Sequence, residues 1–128
     1  MKEYDITHFN EKMRLRTKMF AIGIYKVMNT IKFNEMNRIP VRQLLRCSTS
    51  VAANFRSAAR GRSKAEFYSK ICIVVEECDE TVFWLEFLRE TEVVTQAQTA
   101  DIYKEAEELL RIFSTIKKKL KAKRFPVH

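Results

Sequence analysis

Apolar residues recur along this chain at steps of three, four and seven, the spacing that gathers side chains on one face of an α-helix. Phe9, Met13, Phe20, Ile24, Val27 and Ile31 mark the first such stripe. It predicts a helix from Thr7 or His8 to Ile31 or Lys32, with Thr7 as N-cap and Asn10 and Glu11 in the first turn. Met19, Ile22 and Met28 widen the apolar face; an irregular core is the expected use, a subunit contact the alternative. A polar connection over Lys32–Ile39 leads to Pro40, which opens a second helix ending just before Gly61.

Ser63 and Glu66 then form an S-x-x-E capping box. In that motif the Ser oxygen takes the Glu66 amide and the Glu reaches back to the Ser63 amide. The third helix follows, from Lys64 to Arg89 or Thr91. Phe67, Ile71, Val74, Cys78, Leu85 and Leu88 lie on one stripe, interrupted at Thr81. Val75, Val82, Phe83, Trp84 and Phe87 fall outside it, so the second half of this helix is apolar almost all round. Thr95 and Gln98 give a second capping box, opening a helix to about Lys121. Its positions Ile102, Ala106, Leu109, Phe113, Ile116 and Leu120 alternate steps of four and three, a bundle seam. Short connections make successive helices antiparallel neighbours. The expected fold is all-α: an antiparallel up-and-down four-helix bundle forming one domain over residues 1–128, with short flexible ends near 1–6 and 122–128.

Composition agrees with that reading. The 128 residues hold two Gly and two Pro, too few for a turn-rich β protein. The formal net charge is +8, which favours an anionic partner. From Arg38 to Lys64 the chain carries Arg38, Arg42, Arg46, Arg56, Arg60, Arg62 and Lys64 with no acidic residue. Its apolar positions there, Cys47, Val51, Ala52, Ala53, Ala58 and Ala59, are small enough to let a neighbouring helix approach closely. Up-and-down topology brings the Gly61 turn and both termini to one end of the bundle. The expected nucleic-acid-binding residues are therefore Arg56, Arg60, Arg62, Lys64, Lys117, Lys118, Lys119 and Lys121, neutralising phosphates of a backbone. Tyr4, Tyr25, Tyr68 and Tyr103 are candidates for base stacking or for half-buried bundle positions. Asn54 is a candidate polar contact, with capping or interhelical bonding as the competing role.

Catalytic chemistry is poorly supplied. The only histidines are His8 and His128. Arg124 and His128 faintly resemble the Arg/His pair of helical ribonucleases, but Pro126 breaks the helix between them. Glu76, Glu77, Asp79 and Glu80 form an acidic belt on one helix without the Glu-x-x-His pairs of di-iron bundles. They are expected to pair with arginines of the second helix. Cys47, Cys72 and Cys78 lack metal-ligand or disulfide spacing and read as small buried hydrophobes. No enzyme activity, metal or cofactor is expected. No apolar run reaches the length that spans a bilayer and no secretory leader is evident, so no membrane association and a cytoplasmic location are expected.

The segment Arg42–Leu88 resembles the 23S rRNA intervening-sequence protein family, also called four-helix bundle proteins. The resemblance rests on Arg46, on Ser50-Val51-x-Ala53-Asn54, on Arg62-Ser63-Lys64-x-Glu66-Phe67 and on the acidic Glu76–Glu80 segment. Family members often carry Glu-Gly shortly after the Asn, where this chain has Ser57-Ala58. The resemblance implies an up-and-down bundle assembling as a homopentameric ring. It also relates the chain to accessory proteins of diversity-generating retroelements, which bind a reverse transcriptase and nucleic acid. On that reading Phe83, Trp84 and Phe87 are expected at a subunit interface. The functional expectation is a non-enzymatic, oligomeric protein binding structured RNA, RNA being preferred over DNA. The alternative is a scaffold or accessory subunit docking an acidic partner protein such as a reverse transcriptase.

Overall fold

The computed structural model describes residues 3–124. Four helices make up nearly all of them: α1 Glu3–Met28, α2 Arg38–Ala59, α3 Lys64–Glu90 and α4 Gln96–Arg124. No strand occurs among the described residues. Each helix packs on its sequence neighbours, α4 returns lightly to α1, and the backbones of the diagonal pairs stay apart across the core.

Cross-helix contacts give the directions. Arg46 on α2 meets Glu77 and Glu80 on α3. Glu86 and Arg89 on α3 meet Tyr103 and Thr99 on α4 in reversed order. Arg16 of α1 meets Glu105 and Glu108, while Gly23 lies against Ile102, again in reversed order. Neighbours are thus antiparallel, and the bundle runs up and down. The connections 29–37 and 91–95 share one end, where Lys32, Asn34, Thr91 and Glu92 line a common groove. The 60–63 turn lies at the other.

The core follows the stripes. Phe20, Ile24, Met28, Val51, Phe55, Ile71, Val74, Leu85, Leu88, Leu109 and Phe113 are buried in one cluster. Phe55 and Phe113, from diagonally opposed helices, meet at its centre with ring centroids 5.3 Å apart. Thr81, which interrupts the α3 stripe, is fully buried. Its hydroxyl donates to the Glu77 carbonyl at 2.7 Å and lies 3.2 Å from the Cys47 sulfur, so burial leaves no orphaned group.

Several boundaries differ from the sequence expectation. Thr7 is not an N-cap: α1 already begins at Glu3, four residues earlier. Regular α1 ends at Met28, and Thr30 and Ile31 continue as a tighter turn donating to Val27 and Met28. α2 begins at Arg38, two residues before Pro40. Pro40 then sits in the first turn, where a missing N–H costs nothing. α4 continues to Arg124, so the ends expected near 1–6 and 122–128 are in part helical. Residues 125–128 lie outside the described residues. Of the three residues that widen the α1 face, Met28 is buried, Ile22 half-buried and Met19 54% exposed. The widening is therefore not all core.

Both capping boxes form. Ser63 Oγ accepts from the Glu66 amide at 3.1 Å, but the Glu66 carboxylate takes the Arg62 amide at 2.6 Å, one residue earlier than the motif predicts. Thr95 and Gln98 close the reciprocal pair at 3.0 and 2.8 Å. Gly61 has a steric reason: a Cβ there would lie 3.0 Å from the Ala58 carbonyl oxygen. No helix among the described residues is long and apolar enough to cross a membrane.

Glu92 is a non-glycine residue with positive φ, 62°. It follows the α3 C-terminus, where the Val93 and Val94 amides both return to the Leu88 carbonyl. Replacing Glu92 with Gly removes the left-handed penalty. The variant is expected to gain about 1 kcal/mol in urea denaturation, while Glu92→Val loses stability.

Arg16 ties the lightly packed α1–α4 seam. Its guanidinium donates to Glu105 at 2.8 and 2.6 Å and contacts Glu108 at 3.0 Å. Hydrogen bonding from Arg16 holds the Glu108 carboxyl below its ordinary range. A depressed folded value contributes stability above the unfolded carboxylate value of about 4.3, lost as pH falls through the folded value. Arg16→Gln should therefore be less stable than the parent at pH 7. The gap should close in acid, measured as Tm against pH.

Candidate nucleic-acid interface

The short 60–63 turn forces α2 and α3 into close apposition, and small side chains fill the seam. Cys47, Ser48, Val51 and Ala58 are buried, with Cys47 meeting Thr81 of α3, whereas Ala53 is exposed and faces outward. Since the interior positions are small and apolar, the long cationic side chains of α2 emerge on its outer side. Arg56 and Arg60 are four apart and share a face.

Between the outer faces of α2 and α3 runs an open concavity of about 520 Å³, lined by Ala53, Arg56, Ser57, Arg60, Gly61, Arg62, Glu66, Ser69 and Lys70. Its walls carry four cationic side chains. Its one carboxylate, Glu66, is held by the Arg62 amide. No aromatic residue lines it.

Three of the expected residues, Arg56, Arg60 and Arg62, meet in this groove. Lys70, which the sequence reading omitted, joins them. The signal was available: Lys70 lies four residues after Glu66 and so shares its face of α3. Lys64 is the exposed first residue of α3 and does not line the groove. Lys117, Lys118, Lys119 and Lys121 lie on the last turns of α4, at the same end of the bundle, but α4 stands diagonally across the core from α2. Consecutive helical residues point in different directions, so Lys117–Lys119 cannot form one patch. Lys117 is half-buried and the other three are exposed.

The acidic belt is divided. Arg46 bridges Glu77 at 3.2 Å and Glu80 at 2.6 Å, tying α2 to α3. Hydrogen bonding from Arg46 lowers the Glu80 carboxyl from its ordinary value. Glu76 and Asp79 are exposed and face away from that clamp. Asn54 neither caps nor bridges helices. Its amide donates within α2 to Ser50, to the carbonyl at 3.0 Å and the hydroxyl at 2.9 Å.

Cys47 and Cys78 are buried, as expected of small hydrophobes, and burial pushes their thiols up to about 11 and about 12. Such thiols are poor nucleophiles at neutral pH. Tyr103 donates to Glu86 at 2.9 Å, with the Arg89 guanidinium 4.1 Å from its ring centre, so its ring is engaged within the bundle. Tyr25 is 57% exposed. It lies near the C-terminal end of α1, remote from the groove. The side chains of Tyr4 and Arg124, and all of His128, fall outside the described residues.

Phe83, Trp84 and Phe87 form an aromatic cluster on α3. Phe83 and Trp84 meet edge to face at 4.9 Å, as do Trp84 and Phe87 at 5.4 Å. Phe83 is 51% exposed and Phe87 39%. Trp84 instead turns toward α2: its indole donates to Glu80 at 3.3 Å and it lines a second groove with Ile39 and Pro40.

No curated protein matches the chain. A crystal structure of a protein of unknown function, from the S23 ribosomal protein family of Bacteroides thetaiotaomicron, is similar. The two share 30% sequence identity and superpose with a TM-score of 0.71 over 85% of this chain and 97% of that one. The model of the 23S rRNA-intervening sequence protein family matches residues 11–115, spanning the α2–α3 groove and all four helices, and the chain belongs to that family.

Proposed function

We propose that this chain is a non-enzymatic, oligomeric protein that binds structured RNA through the phosphate backbone, using the α2–α3 groove. The observation that carries the reading is the convergence of Arg56, Arg60, Arg62 and Lys70 around one open concavity. Four cations against the single carboxylate of Glu66 leave the groove net positive, so that it attracts a polyanion and releases its counterions on contact. Guanidinium groups also match phosphate oxygens in a bidentate fork. The lack of an aromatic lining argues against single strands, which draw much of their affinity from stacking. The lysines of α4 extend the positive field at the same end of the bundle. The exposed Phe83 and Phe87 support self-association, and a pentamer is the form that the family resemblance implies.

The test is binding of a hairpin RNA, measured by fluorescence anisotropy across a salt series. Arg60→Glu together with Arg62→Glu should weaken binding at least tenfold and reduce the slope of log affinity against log salt by about two. Unchanged affinity and slope would remove the groove from the binding surface. A protein partner that survives nuclease treatment and is lost with the same two substitutions would favour the scaffold reading instead.

A further inference from the structure

Two exposed helix faces lie outside the groove, and their residues match. On α1, Lys12, Leu15, Met19, Ile22 and Lys26 follow one another at steps of three and four, a single face. Leu15 is 57% exposed and Met19 54%, and Lys12 and Lys26 are exposed at either end. No acidic residue follows Glu11 in this helix. On α3, Glu76, Asp79, Phe83, Phe87 and Glu90 follow the same kind of spacing, all exposed. One face is aliphatic with basic ends. The other is aromatic with acidic ends.

Their placement in the bundle matches too. α1 and α3 are diagonal helices whose backbones stay apart across the core, so their outer faces look to opposite sides of the molecule. Both run in the same direction, each being antiparallel to α4. Gly23 lies against Ile102, and Glu86 accepts from Tyr103, the next residue along. Gly23 and Phe87 are therefore level along the bundle axis. Counting along the two parallel helices puts Met19 level with Phe83, Lys12 with Glu76 and Lys26 with Glu90.

We infer that a second copy of this chain docks its α3 face onto the α1 face, side by side and without axial shift. Phe83 and Phe87 of one copy cover Met19 and Ile22 of the next, while Lys12 and Lys26 face Glu76 and Glu90. The inference rests on the oligomeric reading proposed above and names its two mating surfaces. Pairing like with like is disfavoured: two α1 faces bring lysines together and two α3 faces bring carboxylates together. The contact is heterologous, each copy offering both surfaces, and so repeats into a closed ring or an open filament.

A heterologous contact has a signature that a symmetric one lacks. Met19→Glu spoils only the α1 face and Phe83→Glu only the α3 face. Both side chains are more than half exposed within one chain, so each variant should keep its helical circular dichroism and melt cooperatively. In sedimentation velocity the parent should be an oligomer and each variant a monomer. An equimolar mixture of the two variants should give a species of two chains and nothing larger, because one intact surface of each kind remains. A mixture that stays monomeric, or a Met19→Glu variant that still assembles like the parent, would overturn the pairing while leaving self-association intact. A parent that is monomeric at every concentration would overturn the oligomeric reading as well. Charge exchange gives an independent check: Lys26→Glu should weaken assembly, and adding Glu90→Lys should restore it. Failure of that rescue would reject the proposed register.

Discussion

The close approach of α2 and α3 is the constraint from which the rest of the molecule follows. It is made by small side chains along α2, by the buried Cys47–Thr81 contact and by a four-residue turn where a Cβ at Gly61 would press on the Ala58 carbonyl. When two helices pack this closely, large or charged side chains cannot share the seam and must leave by its edges. Arg56 and Arg60 leave on one edge and, with Arg62 and Lys70, wall the basic groove. The groove is thus a by-product of tight packing beneath it. A bulky residue at Cys47 or Ala58 would disturb both together.

The same pairing decides the fate of α3. A helix in a four-membered bundle has two packed neighbours and one outer face, whatever its sequence. Val82, Leu85 and Leu88 use the inner sides, Trp84 folds back toward α2, and Phe83 and Phe87 are left outside. A residual aromatic surface on so small a bundle is unusual for a helix that has finished its packing. α1 carries a comparable surplus in Leu15 and Met19. Its seam with α4 is the lightest in the bundle, and the Arg16 fork adds a polar tie to the apolar contact there. A half-buried ion pair of this kind contributes modest stability but fixes register.

Charge is sorted by face more than by helix. The groove edge of α2 is cationic, the outer face of α3 anionic, and the outer face of α1 cationic again. Acids that face cations within the chain, Glu77 and Glu80 on Arg46 or Glu105 and Glu108 on Arg16, are neutralised locally. The net charge of +8 is therefore carried largely by the surfaces beyond these pairs. Such surfaces are available to partners, and their separation around the bundle allows more than one partner at a time.

Hydrophobic spacing by itself determined the helical class, the four helices and their antiparallel order. Those features depend on local periodicity and loop length, which a linear chain states directly. Capping boxes at Ser63 and Thr95 and the core stripe through Ile71, Leu85, Leu109 and Phe113 were legible for the same reason. Boundaries at Thr7 and Lys121 were less so, since several residues near each end could begin or stop a helix at similar cost. What only the tertiary structure decided is which residues of different helices share a surface. It joined Lys70 to the arginines and left Lys64 and the α4 lysines outside the groove. It also left Phe83 exposed beside a half-buried Trp84, and exposed Met19 while burying Met28. Each of these depends on the rotation and level of one helix against another, set by side-chain packing across seams that no single stretch of sequence contains.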